Sequence, residues 1–192
     1  MVIEERAGGA FELDEPLTVV GRKLLPGDAA PDFTLDFFDP VVGAIRPARL
    51  ADSAGAVRLL NVVNSLDTPV CHVETRAWER LRADLPDGVE VYTISMDLPF
   101  AQTRWQSAEA VAHRALSAHR SRQFGRDYGV LIKEWRLLQR AVFVIGHDDR
   151  VAYAEYIADQ MREPDYAAAV AAVLLAATRA VDAGLQIADE PA

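Results

Sequence analysis

The run VRLLNVVNSLDTPVCHVETRAWERL, residues 57–81, changes its periodicity part-way, and that change decides the fold. Val57 to Val63 is apolar enough for a central strand buried on both faces. Thr68 fits a helix N-cap, and Pro69 fits the first helical position, where no N–H donor is needed. Val70, Val73, Ala77, Trp78, Leu81 and then Leu85 recur at helical spacing until Pro86-Asp87-Gly88 stops the helix. The chain's one cysteine, Cys71, falls in the first turn of that helix. A helix N-terminus presents unpaired N–H groups and a partial positive charge. A thiol placed there loses its proton more easily, and the thiolate is the reactive form.

Outward from this run, residues 1–10 read as a flexible N-terminus, and Glu12 to Val20 as a small hairpin centred on Asp14-Glu15-Pro16. Pro31 to Leu35 reads as a short strand, and residues 39–56 as a loop with one weak strand. Val89 to Met96 is a second buried strand, and Pro99 opens a helix to about Val111. Ser121 to Tyr128 fits a short helix. Ala141 to Ile145 is a third strand, and Val151 to Ile157 returns antiparallel to it after the turn His147-Asp148-Asp149. Pro164 starts an Ala-rich helix to about Val181, and residues 182–192 read as a loose tail. The order predicts an α/β domain over residues 11–181, with a mixed sheet and helices on both faces.

Composition excludes several functions. One cysteine cannot form an intramolecular disulfide or a Cys-rich zinc or Fe–S site, and the four histidines lack ligand spacing. A net charge of −9 argues against nucleic acid or an anionic membrane as partner. No apolar run approaches the length of about 20 residues that spans a bilayer. The acidic start MVIEERAGGAFELDEP has no secretory character, so the expected location is cytoplasmic.

The segments SLDTPVC, DLPFAQTRW, FGRDYGVLIKEWRLLQRAVFVI, VAYAEYI and EPDYAAAV, in this order, resemble bacterial thiol peroxidases, the atypical two-cysteine class of peroxiredoxins. The resemblance runs from about residue 11 to residue 178. It implies a thioredoxin-like fold with an N-terminal β-hairpin, reduction of hydrogen peroxide or organic hydroperoxides without metal or other cofactor, and a homodimer. By position Cys71 matches the peroxidatic cysteine, Thr68 the motif threonine, and Arg140 the arginine that closes the site from a neighbouring strand. The sequence departs from the pattern twice. Asn64 stands where the peroxidatic motif usually has proline, and Gln106 stands where the family has its resolving cysteine. An internal disulfide is therefore replaced by recycling through an external thiol or thioredoxin-like reductant. The alternative reading is a catalytically impaired paralogue that serves as a dimeric redox-sensing or binding module.

The residues carry a chemical argument of their own. A free thiol is only a few per cent ionised at neutral pH, and mostly ionising it takes roughly 3 kcal/mol. A helix N-terminus supplies about 0.3–1 kcal/mol, rising to about 2 when buried. Cys71 occupies the third helical position after Thr68, which puts sulfur and hydroxyl on one side of the first turn. A Thr68 hydrogen bond and the Arg140 charge are thus expected to supply the remainder. Asp67 and Glu74 would oppose ionisation if they face the sulfur. Arg76 reads as a helix-face partner, His72 as exposed, and Trp105 and Phe100 as core or dimer contacts. Asn64 could either shield the sulfur or open the pocket to water.

Overall fold

A computed structural model describes residues 4–188. Val57 to Val63 delivers the central strand β5, Arg58–Val62, every residue of it buried. β5 lies in a seven-stranded mixed sheet. On one side it pairs in parallel with β6 (Glu90–Ser95), which pairs in parallel with β7 (Arg114–Ser117). On the other side it pairs antiparallel with β9 (Ala141–Ile145), which continues to β10 (Val151–Tyr156). β3 (Thr34–Asp39) and β4 (Ala44–Arg49) extend the β7 edge as a hairpin.

Side chains alternate across this sheet, as strand geometry requires. Leu59, Val142 and Val144 pack with Trp78 of α1 (Pro69–Arg82) and with Ala169 and Val173 of α4 (Tyr166–Ala188). Leu60, Val62, Phe143 and Ile145 face the other way, onto Phe124 of α3 (Gln123–Asp127) and the following Tyr128. Helices therefore cover both faces, the thioredoxin-like arrangement expected from the element order.

Several elements differ from the sequence expectation. The stretch expected to be flexible is a strand from Glu5 onward: β1, Glu5–Glu12, pairs with β2, Glu15–Val20. Gly8 at φ 65° lies within the irregularity between Arg6 and Ala10, and Ala10 beyond it is fully buried. The hairpin turns at Leu13 and Asp14, with φ 45° and 70°, rather than at Glu15-Pro16. Positive φ at both central residues gives a two-residue loop the twist its strands need. β2 also pairs with a two-residue strand β8, Leu131–Ile132. β4 is the one weak strand expected within residues 39–56, whereas β7 appears where no strand was expected. α4 continues to Ala188, past the expected end at Val181 and through Gly184, with no proline before Pro191. Residues 189–192 of the expected tail lie outside the described residues.

The end of β1 also fixes a wall of the site. Phe11 N–H donates to the Ala158 carbonyl at 2.8 Å, and Gln160 N–H donates to the Phe11 carbonyl at 2.9 Å. These bonds hold the hairpin tip beside the start of β9 and the first turn of α1.

Candidate active site

Thr68 is the N-cap of α1 in extended conformation and Pro69 opens the helix, as the sequence predicts. Cys71 sits at the third helical position, fully buried among Val63, Leu66, Trp105 and Val111. Arg140, directly before β9, reaches it from the neighbouring strand: Arg140 Nη2 donates to Cys71 Sγ at 3.3 Å. The two residues are 69 positions apart, and the antiparallel pairing of Val62 with Ala141 brings them together.

Thr68 behaves differently from the expectation. Its hydroxyl donates to the Ser65 carbonyl at 2.9 Å and makes neither a cap bond nor a bond to sulfur. The side chain is half-buried and lines the same cavity as Arg140. Asp97, at the end of β6, anchors this turn by accepting from Ser65 Oγ at 2.7 Å and from Leu66 N–H at 2.9 Å. Sequence reasoning gave Asp97 no role, since its partners lie about thirty residues away.

Glu74 faces Arg140 rather than the sulfur. Both side chains are buried, and Arg140 Nη1 donates to Glu74 Oε2. Burial pushes the Glu74 carboxyl up to about 8, against the opposing Arg140 charge. Burial also works against the Arg140 charge, but Glu74 and Cys71 outweigh it and hold the guanidinium above its ordinary value. Arg140 is thus a fixed cation shared between a carboxyl and the sulfur, and its Nη2 also donates to the Gln160 carbonyl at 2.9 Å.

This arrangement predicts a pH-dependent stability. The unfolded chain releases the Glu74 proton near its ordinary 4.5, and the folded chain keeps it to about 8. Its contribution is full below the lower value and is lost as pH rises through the upper one. Glu74→Gln protein is expected to gain stability relative to the parent as pH rises from about 5 to about 8, by up to a few kcal/mol, and so to melt at progressively higher temperature. Thermal melts across that range check this, and a pH-independent difference would refute it.

Asn64 is buried and holds three partners. Its Nδ2 donates to the Leu138 carbonyl at 2.5 Å and to Gln160 Oε1 at 3.0 Å. Its Oδ1 lies 3.9 Å from Cys71 Sγ, as the acceptor for the thiol. Asn64 is therefore a shield and does not open the site. Gln160, a second residue missed from sequence, carries no local pattern that would mark it.

Of the other candidates, only Trp105 packs in the cluster that buries the sulfur. Arg76 and His72 both approach Glu109, at 3.4 and 3.5 Å, and His72 Nδ1 accepts from Trp105 Nε1 at 3.3 Å. His72 is half-buried there rather than exposed. Trp105 is core, while Phe100 is exposed against Phe38. Asp67 is exposed. Gln106 donates to the His113 carbonyl at 2.6 Å and lines a groove of about 650 Å³ with Phe37, Arg46 and Arg114. A different cavity of about 440 Å³, walled by Leu13, Trp135, Leu137 and Met161, has Asn64, Thr68 and Arg140 among its lining. No group of three or more possible metal ligands occurs among the described residues. Nor is any helix among them long and apolar enough to cross a membrane.

The chain is similar to several characterised sequences and solved structures. A model of the AhpC/TSA family matches residues 26–154. A thiol peroxidase of Halalkalibacterium halodurans is 46% identical over 158 residues, covering 82% of this chain and 92% of its own. The thiol peroxidase of Bacillus subtilis is 44% identical over 152 residues, covering 79% and 87%. Among solved structures, a peroxiredoxin-like protein from Aquifex aeolicus superposes with a TM-score of 0.76 at 31% identity, covering 91% of this chain and 99% of its own. A thiol peroxidase from Chromobacterium violaceum shares the fold with a TM-score of 0.74 at 23% identity, covering 92% and 97%. With the family model spanning well over half of its length, and relatives this similar over most of both chains, this chain belongs to the AhpC/TSA family, among its thiol peroxidases.

Proposed function

We infer that the chain is a thiol-dependent peroxidase that reduces hydrogen peroxide or small organic hydroperoxides through Cys71 alone. The observation that carries this reading is the buried Arg140 guanidinium on Cys71 Sγ at 3.3 Å, beside a cavity with mainly apolar walls. The Cys71 thiolate attacks one peroxide oxygen, an S–O bond forms, the O–O bond breaks, and the alkoxide or hydroxide leaves and takes up a proton. Arg140 supports the thiolate and the developing charge on oxygen. The Thr68 hydroxyl, turned from the Ser65 carbonyl, offers a second donor from the same cavity wall.

The product is Cys71 sulfenic acid. An external thiol attacks its sulfur and expels water, leaving a mixed disulfide. A second thiol then releases Cys71. Supporting an external route, Cys71 is the chain's one cysteine, and Gln106 opens onto a separate groove. The apolar walls from Leu13, Trp135 and Met161 suit an organic tail on the peroxide. The likeness to thiol peroxidases supports a cytoplasmic homodimer, and exposed Leu98 and Phe100 at the start of α2 (Pro99–Glu109) offer apolar contact surface.

One equivalent of hydroperoxide added to the reduced protein is expected to place one oxygen on the Cys71 peptide, as read by mass spectrometry. An added thiol is expected to remove it. A Cys71 peptide that stays unoxidised while peroxide is consumed would overturn the assignment.

A further inference from the structure

The Asn64 amide has one orientation available. Gln160 Nε2 donates to the carbonyls of Ile157 at 2.7 Å and Ala158 at 3.1 Å. Its Oε1 must therefore point the other way, where it accepts from Arg140 N–H at 2.9 Å and from Asn64 Nδ2 at 3.0 Å. Asn64 Nδ2 is further committed to the Leu138 carbonyl at 2.5 Å. Reversing the Asn64 amide would set its oxygen against two acceptors at once. Asn64 Oδ1 is thus locked toward Cys71 Sγ.

The sulfur consequently has a cationic donor on one side and a fixed acceptor on another. At 3.9 Å the acceptor is too far for a strong bond from the thiol. It is also oriented unfavourably for a thiolate, because its lone pairs face the negative sulfur. The gap exceeds an O–H···O contact of about 2.7 Å by less than the length of an S–O bond. An oxygen bonded to sulfur can therefore bridge it with a bend at the oxygen. That oxygen arrives from the cavity that Asn64 itself lines.

We propose that Asn64 is the acceptor for the hydroxyl of Cys71 sulfenic acid and keeps that intermediate protonated until an external thiol arrives. This rests on the one-cysteine peroxidase reading. Over-oxidation proceeds from the deprotonated sulfenate: its sulfur attacks a second hydroperoxide, a second S–O bond forms, the O–O bond breaks, and an alkoxide leaves. An acceptor that holds the S–O–H proton disfavours the anion and slows this step. A site without an internal resolving thiol needs such a hold, because its intermediate must wait for a collision.

The test follows the oxidised intermediate in the full-length parent, Asn64→Leu and Asn64→Pro proteins. Asn64→Leu keeps the branched side-chain skeleton without polar atoms, and Asn64→Pro restores the residue usual in the motif. Each is oxidised with one equivalent of a small alkyl hydroperoxide and then given excess. Mass spectrometry reads the conversion of one-oxygen to two-oxygen Cys71 between about pH 5 and pH 9, and dimedone traps the remaining sulfenic acid. The rate per sulfenic acid formed is expected to be about fivefold higher in either folded variant at neutral pH, the factor a neutral hydrogen bond contributes. The pH at which over-oxidation sets in is expected to be lower, which loosened packing alone would not produce. Equal rates and equal pH profiles in whichever variant folds would overturn the proposal and leave the peroxidase reading intact. A parent Cys71 that never gains oxygen would overturn both.

Discussion

Cys71→Ser protein is expected to consume hydroperoxide no faster than buffer, with its fold intact. The substitution replaces one small side chain by another inside the Val63, Leu66, Trp105 and Val111 cluster. The new hydroxyl meets a donor in Arg140 Nη2, which lies 3.3 Å from the sulfur it replaces. Its cost to stability is expected to stay within about 1–2 kcal/mol. A serine hydroxyl is barely ionised at neutral pH and cannot take the place of the thiolate. Peroxide consumption in metal-free buffer and a thermal melt check the two halves. Retained turnover would remove Cys71 from the chemistry and end the peroxidase reading.

Arg140→Ala is expected to slow the reaction of Cys71 with hydroperoxide by about 10²–10³-fold, the scale on which removal of a fixed donor acts in a dry site. It removes the donor to sulfur, the partner of Glu74 and a bond to the Gln160 carbonyl. Alkylation of Cys71 at neutral pH is expected to slow as well, because the thiolate loses its cation. Removing one partner of a buried hydrogen-bonded pair costs about 1–3 kcal/mol, and more for charged groups, so folding and chemistry must be separated. The Arg140→Ala/Glu74→Gln double variant does this: it leaves no buried carboxylate to ionise, and is expected to recover stability above pH 7 without recovering the rate. A double variant as fast as the parent would make Arg140 a structural residue only.

Periodicity sufficed for the elements that bury continuous apolar faces. β5, α1, β6, β9, β10 and α4 all lie where alternation or helical spacing placed them. β7 did not announce itself, since Arg114-Ala115-Leu116-Ser117 is too short to carry a pattern. It is secured by long-range bonds instead: Gln102 Nε2 to the Leu116 carbonyl, and the neighbouring His113 N–H to Glu79 Oε2. A short strand at Pro31 to Leu35 and a weak one within residues 39–56 were legible, but their pairing as β3 and β4 was not, because both mix polar and half-buried residues at a sheet edge.

At the site, Cys71 and its place in the helix followed from local signals, namely a cap, a proline and an apolar spacing. Arg140 had no local signal and was legible through resemblance alone. Glu74 was legible as a charge near the sulfur but not as the partner of Arg140, because helical spacing does not say which strand a side chain will meet. Gln160 stayed invisible, since its role consists of hydrogen bonds to residues from Phe11 to Arg140. The Thr68 hydroxyl was placed on the correct turn with the wrong partner, because a hydroxyl chooses among nearby acceptors that a sequence does not rank.

The separation of Gln106 from the cavity beside Cys71 bears on kinetics. A peroxidase that resolves internally leaves its sulfenic acid at a rate fixed by its own chain, and meets its reductant only as a disulfide. Here both half-reactions are collisions, one with peroxide and one with thiol. In steady state the oxidised fraction of the protein then equals the peroxide rate (rate constant times peroxide concentration) divided by the sum of that rate and the corresponding thiol rate. At a fixed peroxide supply, halving the thiol doubles the ratio of oxidised to reduced protein. The population of this chain thus acts as a gauge of its surroundings, reading the balance between peroxide and reductant at every moment it works.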